Sequence, residues 1–161
     1  MFMNIGLVIL SYLMGSINFA YLVARFKGVN IQDLGSGNPG SSNVLRTMGK
    51  SYAIIVLIGD ILKGFIPVII GLNYDYSLIL GFVAVIGHCF PIFYKFKGGK
   101  GVATYFGAYL AFIFNHPDAF SLDIPYFKVN LVLFFIILYF GLMKIFRISA
   151  LASLTTIILA G

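Results

Sequence analysis

The chain is a series of apolar runs about as long as a bilayer is thick, and almost every charge falls between them. A spanning helix needs about 20 mostly apolar residues. Five runs meet or approach that length: Asn4 to Ala24, Tyr52 to Leu72, Ser77 to Phe93, Gly101 to Asn115 and Val129 to Phe146. The fourth is short for a straight span. A sixth run, Ile148 to Gly161, reaches the last residue and is too short to cross comfortably. Charged residues make up 10% of the 161 residues and apolar ones 60%, with a mean hydropathy of +1.00. A soluble domain carries about 25% charged residues. The expected fold is therefore an all-α membrane protein, a helical bundle of five main segments plus a cut-off sixth, and residues 1–161 read as one integral membrane domain. Phe2 to Phe26 is too long for the core of a signal peptide, has no basic residues before it and lacks a small-residue cleavage pattern, so it reads as a retained helix.

The basic residues set the orientation. Arg25, Lys27, Arg46, Lys50, Lys95, Lys97, Lys100, Lys144 and Arg147 all fall on one side of the predicted spans. The other side receives Lys128, together with Asp75, Asp118 and Asp123, while Lys63 lies inside a span. Short cytoplasmic loops are enriched in Lys and Arg. The bias puts the N-terminus outside and the glycine-rich loops in the cytoplasm. It also accounts for the net charge of +6 without nucleic acid, because the charges sit at the ends of apolar runs. The single Cys89 cannot form an internal disulfide and reads as a packed apolar residue; no Cys/His cluster suggests a metal.

Two ionisable residues fall within the second run. Asp60 and Lys63 are three apart and share a helical face. Such a pair faces protein or water rather than lipid, and either orders the bundle or meets a substrate.

Two loops on the cytoplasmic side carry the chemistry. The first reads Gly35-Ser36-Gly37-Asn38-Pro39-Gly40-Ser41-Ser42-Asn43-Val44-Leu45-Arg46. Its glycines let backbone amides turn towards an anion, Ser36, Ser42, Asn38 and Asn43 add neutral donors, and Arg46 adds a planar fork suited to phosphate. A helix is expected to begin near Ser41 or Ser42, aiming its first amides at the same anion. A P-loop ATPase motif is excluded: Gly35 and Gly40 have the spacing, but Ser41 stands where the lysine belongs, and Val44 stands where the first glycine of a motif ending Gly49-Lys50-Ser51 belongs. By itself the loop is an anion site or a flexible cytoplasmic turn.

The second loop runs from His88 through Pro91, Lys95 and Lys97 to Gly98-Gly99-Lys100-Gly101. Three glycines around Lys100 make a second backbone cradle with a point charge in it. Two such loops in one compartment suit one bound molecule with two phosphates, or two anionic substrates. His88 reads as a hydrogen-bonded packing histidine or a site residue at a buried helix end, and Lys95, Lys97 and Arg147 as span anchors.

The stretches YLMGSI, GSGNPGSSNVLRTMGK, DILKG from Asp60 and GHCFPIFYKFKGGKGVAT from Gly87, in this order, resemble the acyl-phosphate:glycerol-3-phosphate acyltransferases of bacterial membranes (the PlsY family). The resemblance runs from Tyr12 to Ser153. It implies transfer of a fatty acyl group from acyl phosphate to the first hydroxyl of glycerol 3-phosphate, giving lysophosphatidate and phosphate, in the plasma membrane of a bacterium with the site facing the cytoplasm. It implies no coenzyme A, metal or organic cofactor. By matching motifs, Ser36, Arg46 and Lys100 are the implied catalytic residues. Gly35, Gly37, Asn38, Gly40, Ser42, Asn43, Gly98, Gly99 and Gly101 are the implied phosphate-binding residues, with His88 and Ser153 as further candidates. The family's glycine-rich second loop points to glycerol 3-phosphate as its ligand.

This chain departs from the family pattern at several places. Ser41-Ser42 stands for an Ala/Thr pair, Asn18 and Ala20 for a proline and a glycine, and Ala150 for a serine, whereas Ser153 matches. The family pattern continues beyond the position of Gly161 with further helix and a third motif containing histidine, asparagine and glutamate, so the chain reads as a C-terminally shortened member. Two competing readings are a transporter of a phosphorylated metabolite and an inactive scaffold. The absence of evident internal repeats and the placement of both loops on one face oppose the transporter. The oligomeric state is left open by weak helix-interface signals.

Overall fold

The computed structural model describes residues 4–115, which are helical with no strand among them. The segments expected at Val129 to Phe146 and Ile148 to Gly161, and Ser153, lie outside the described residues. The chain divides into two compact units, Met1–Phe112 and Ile113–Gly161; the first holds both glycine-rich loops.

The first expected span is a broken one. Helix α1 runs Ile5–Ser16 and α2 runs Phe19–Phe26, bent by 41° at the break. A break inside the hydrocarbon leaves backbone groups that need partners. Asn18 supplies two: its Oδ1 accepts from the amides of Ala20 at 3.0 Å and Tyr21 at 3.2 Å, capping α2. Lys63 supplies another, donating to the carbonyl of Ile17 at 2.7 Å.

The remaining elements follow the apolar pattern closely. A short helix α3 covers Ser41–Met48 and starts where the first loop was expected to nucleate one. The second span, α4, is Lys50–Ile70; the third, α5, is Ser77–Cys89, followed by a 3-10 turn at Ile92–Tyr94. The fourth, α6, is Val102–Asn115, too short to count as a straight span. By length and composition, two described helices can cross a membrane, or three when the bent α1–α2 pair counts as one.

Helix α4 has the inside-out polarity of a membrane helix. One stripe, Ala53, Val56, Asp60, Lys63 and Pro67, is buried. The other, Ile54, Ile55, Ile58, Leu62 and Ile66, is exposed and wholly apolar. Water offers no reason to expose that second stripe, whereas lipid does.

Close helix contacts rest on small residues. A side chain at Gly15 would land on the Ala84 backbone, and one at Gly87 on the backbone of Tyr12 and Ser16, so α1 and α5 touch main chain to main chain. The Ser11 hydroxyl donates to the Leu80 carbonyl across the same seam. Gly64 meets the Thr104 carbonyl and Gly107 the Ile61 carbonyl, which joins α4 to α6 in the same way. In lipid, where apolar contact between helices gains little over contact with tails, such close backbone approach and interhelical hydrogen bonds carry the packing.

Candidate functional site

The first loop is closed by its own asparagine. Asn43 is fully buried; its Oδ1 accepts from the Ser36 amide at 3.0 Å and its Nδ2 donates to the Leu34 carbonyl at 2.9 Å. Both ends of that amide group are therefore engaged within the loop, and Asn43 acts as its staple. Gly35, at φ +55°, lies directly under this side chain; an added Cβ would collide with Asn43 Oδ1 and the Thr47 methyl. The staple leaves Ser36 exposed at the crest of the loop.

Helix α3 then begins at Ser41 with Gly40 as N-cap and no side-chain cap hydrogen bond. The Asn43 and Val44 amides both bond the Gly40 carbonyl at 3.1 Å, and the amides of Ser41 and Ser42 at the start of the helix carry the positive end of its dipole. Arg46 sits one turn further along, exposed. The loop thus carries an exposed hydroxyl, a helix start and an exposed guanidinium.

The second loop is folded against the end of α5. The Gly99 amide donates to the His88 carbonyl at 3.2 Å. A Cβ at Gly98 would strike that carbonyl, and one at Gly99 would strike the imidazole at Nε2. Before these glycines the chain turns through Lys95 and Phe96, both at positive φ (53° and 60°), with the Lys97 amide bonded to the Tyr94 carbonyl at 3.0 Å. Two consecutive non-glycine residues in the left-handed region are strained, at about 1–2 kcal/mol each, and such strain persists where surrounding contacts fix the backbone.

The two loops meet. A Cβ at Gly99 would lie 3.1 Å from the Pro39 carbonyl oxygen, so the glycine of one loop passes directly beside the backbone of the other. That same carbonyl accepts from Asn18 Nδ2 at 3.3 Å. Arg46 acts on Lys100 as well: partial burial first, and then the positive field of Arg46, hold the Lys100 ammonium below the usual lysine range. A cation whose charge is disfavoured by burial and by a like charge is an arrangement that a bound anion relieves.

Beneath the second loop lies a buried polar cluster. Asp60, Lys63, His88 and Thr104 are each at most 4% exposed. Asp60 Oδ1 is 2.9 Å from Lys63 Nζ and 3.5 Å from His88 Nδ1, and Thr104 Oγ1 is 3.3 Å from the same ring nitrogen. Of the two readings of the Asp60/Lys63 pair, the geometry supports the structural one. The pair joins α4 to the break in the first span and, through His88, to the floor of the Gly98–Gly99 turn. Among the described residues no group of His, Cys, Asp and Glu has a metal-holding arrangement.

Sequence reasoning missed Tyr21, Gln32, Tyr94 and Thr104. The Tyr21 hydroxyl donates to the Lys97 carbonyl at 3.0 Å and accepts from Gln32 Nε2 at 2.7 Å, and its ring stacks on Tyr94 with centroids 4.3 Å apart. Nothing local marks these residues as partners.

Apolar outer stripes, a charged interior and two cationic glycine loops in mutual contact define a helical integral membrane protein. The chain belongs to the glycerol-3-phosphate acyltransferase family, whose family model, described as "Glycerol-3-phosphate acyltransferase", matches residues 5–161. A glycerol-3-phosphate acyltransferase of Aquifex aeolicus is 46% identical over 110 residues, covering 65% of this chain and 57% of that protein. One from Wolbachia pipientis wMel is 40% identical over 153 residues, covering 92% and 72%. The crystal structure of PlsY (YgiH), an integral membrane glycerol 3-phosphate acyltransferase in its glycerol 3-phosphate form, superposes with a TM-score of 0.80 at 38% identity, over 97% of this chain and 73% of that one. Its lysophosphatidic acid form gives a TM-score of 0.77. The chain thus spans little more than half of the Aquifex relative's length and about three quarters of the solved protein's.

Proposed function

We propose that the protein transfers a fatty acyl group from acyl phosphate to the sn-1 hydroxyl of glycerol 3-phosphate, releasing phosphate and leaving lysophosphatidate in the membrane. The observation that carries this reading is the contact between the two loops, with Gly99 against the Pro39 carbonyl and Arg46 acting on the Lys100 charge. Both substrates carry phosphate, and one carries a lipid tail that the apolar outer stripes suit. The family relationship supports the substrate class.

In this reaction the glycerol hydroxyl oxygen attacks the acyl carbonyl carbon. The carbon–oxygen bond to phosphate breaks, and phosphate leaves with the electron pair. Acyl phosphate is already an activated mixed anhydride, so a substrate phosphate oxygen takes the hydroxyl proton and no strong protein base is required. Arg46 and Lys100 neutralise phosphate charge as it is bound and released. Ser36, exposed at the crest of the stapled loop, positions a reacting oxygen. Gly98, Gly99 and Gly101 bring backbone towards the phosphate of glycerol 3-phosphate, while Gly35, Gly37, Asn38, Gly40 and Ser42 do the same in the first loop, with Asn43 holding that loop closed. The reading takes the site to face the cytoplasm of a bacterial plasma membrane, a placement supported by the distribution of basic residues.

The test is to supply acyl phosphate and labelled glycerol 3-phosphate to membranes bearing the protein. Label recovered in a lipid is the expected result. Label that crosses sealed vesicles unchanged would instead establish transport, and label that does neither would leave a non-catalytic scaffold. A Ser36→Ala protein with full turnover would remove Ser36 from the mechanism.

A further inference from the structure

Neither glycine loop can set the distance between Arg46 and Lys100 alone. Each cation sits on its own loop, and the loops are separated in sequence by α4 and α5. The two loops approach each other closely at Gly99 and the Pro39 carbonyl, a contact in which the glycine offers no side chain. A bound phosphate that uses both cations requires the loops to be held in register, and a side chain bonded to both flanks would do so.

Tyr21 is placed to do this. It lies on α2, outside both loops, and its amide is fixed by the Asn18 cap at 3.2 Å. Its hydroxyl takes one hydrogen bond from each direction. Gln32 Nε2 donates to it at 2.7 Å from the 3-10 turn Ile31–Asp33 that leads into the first loop. The backbone of Gln32 also backs that loop, since its carbonyl oxygen lies 2.9 Å from where a Cβ on Gly37 would stand. On the other side the hydroxyl donates to the Lys97 carbonyl at 3.0 Å, three residues before Lys100 and at the end of the strained Lys95–Phe96 turn. The ring cannot swing away, because it is stacked on Tyr94 at an interplanar angle of 7°.

We propose that Tyr21 is a positioning residue: its hydroxyl, held between Gln32 and Lys97, latches the two loops together so that Arg46 and Lys100 act on the same phosphate. The proposal rests on the acyl-transfer reading for its substrate, glycerol 3-phosphate, though not for its geometry. A tyrosine at this depth could alternatively serve only as an interfacial aromatic anchor, a role that resides in the ring and not in the hydroxyl.

Tyr21→Phe separates the two, because it keeps the ring, the stack and the anchor and removes only the hydroxyl. The variant is expected to raise the half-saturating concentration of glycerol 3-phosphate by about 3- to 10-fold, the effect of a lost hydrogen bond, with kcat within about twofold. Gln32→Ala should raise it too, and the Tyr21→Phe/Gln32→Ala pair should be no worse than Tyr21→Phe alone, since both act through one hydroxyl. Unchanged half-saturation in Tyr21→Phe, strictly additive effects, or a fall in kcat and thermal midpoint without a change in half-saturation would overturn the latch. Glycerol 3-phosphate binding to the detergent-solubilised protein, measured by titration calorimetry, keeps the two ideas apart. If the unmodified protein binds it without acylating it, the acyl-transfer reading falls, and the affinity ratio between Tyr21→Phe and the unmodified protein still decides the latch. If the unmodified protein neither acylates nor binds it, both fall.

Discussion

The Lys63 ammonium lies 2.9 Å from Asp60 Oδ1, one turn away on α4, and 2.7 Å from the Ile17 carbonyl at the break in the first span. One side chain thus neutralises a buried acid and satisfies a backbone group freed by a helix break. Replacing it by Lys63→Met leaves Asp60 charged and buried and the Ile17 carbonyl unpaired. The expected loss is about 3–5 kcal/mol in unfolding of the solubilised protein. Adding Asp60→Asn removes the uncompensated charge, so the double variant should unfold at a higher temperature than Lys63→Met alone.

Arg46 and Lys100 differ in what they can do for a phosphate. A guanidinium can bond two phosphate oxygens in a fixed fork, and an ammonium acts as a point charge. Arg46→Lys keeps the charge and loses the fork. It should lower kcat/KM for lysophosphatidate formation by about 10- to 100-fold, the range for a lost charge-assisted hydrogen bond. If Arg46 contributed only long-range charge, the change would be small.

Glycines differ in what they tolerate. Gly99→Ala would drive a methyl group into the His88 imidazole and close to the Pro39 carbonyl, displacing one loop from the other. Misplacement by a fraction of an ångström to an ångström is expected to cost about 100-fold in turnover. Gly28 also has a positive φ, +69°, but has open space around it. Gly28→Ala should therefore cost about 1 kcal/mol of backbone strain and leave turnover essentially intact. Rates and thermal midpoints of the two variants, side by side, check the contrast.

Lys100 predicts a pH dependence. Burial first, and then the Arg46 charge, lower its pKa in the folded protein. It therefore loses its proton at a lower pH than an ordinary lysine. Affinity for glycerol 3-phosphate should fall on the alkaline side earlier than an unperturbed lysine would allow, and Lys100→Arg should extend the plateau to higher pH. The stability effect has the opposite sign. Between the lowered pKa and the ordinary lysine value the folded state binds fewer protons than the unfolded one, so this group's contribution to stability rises with pH. Binding titrations and thermal midpoints over the same alkaline range should move in opposite directions.

Helix positions were legible in the sequence to within a few residues. The run expected at Tyr52 to Leu72 is the helix Lys50–Ile70, and that at Gly101 to Asn115 is Val102–Asn115. The start of α3 at Ser41 was legible because a glycine-rich stretch gives way there to hydroxyl residues and an apolar pair. The break at Asn18 was marked only by a departure from the family pattern. Asn43 was expected to donate to phosphate; its amide instead turns inward, a choice that depends on where the Leu34 carbonyl and Ser36 amide happen to lie. The glycines at 15, 64, 87 and 107 gave no clear interface signal, because each meets backbone of a helix distant in sequence.

By itself, then, the sequence determined that the chain is a membrane helical protein with two cationic, glycine-rich loops and a family resemblance that the comparisons bear out. Hydropathy, loop charge and glycine spacing are local properties, and lipid imposes them strongly on any chain that crosses it. Only the tertiary structure decided that the loops touch at Gly99 and Pro39, that Asp60 and Lys63 support the helix break and the loop floor, and that Tyr21 lies between Gln32 and Lys97. Those relationships join residues far apart along the chain. They depend on ångström-scale distances between helices, which side-chain packing sets and residue order does not record.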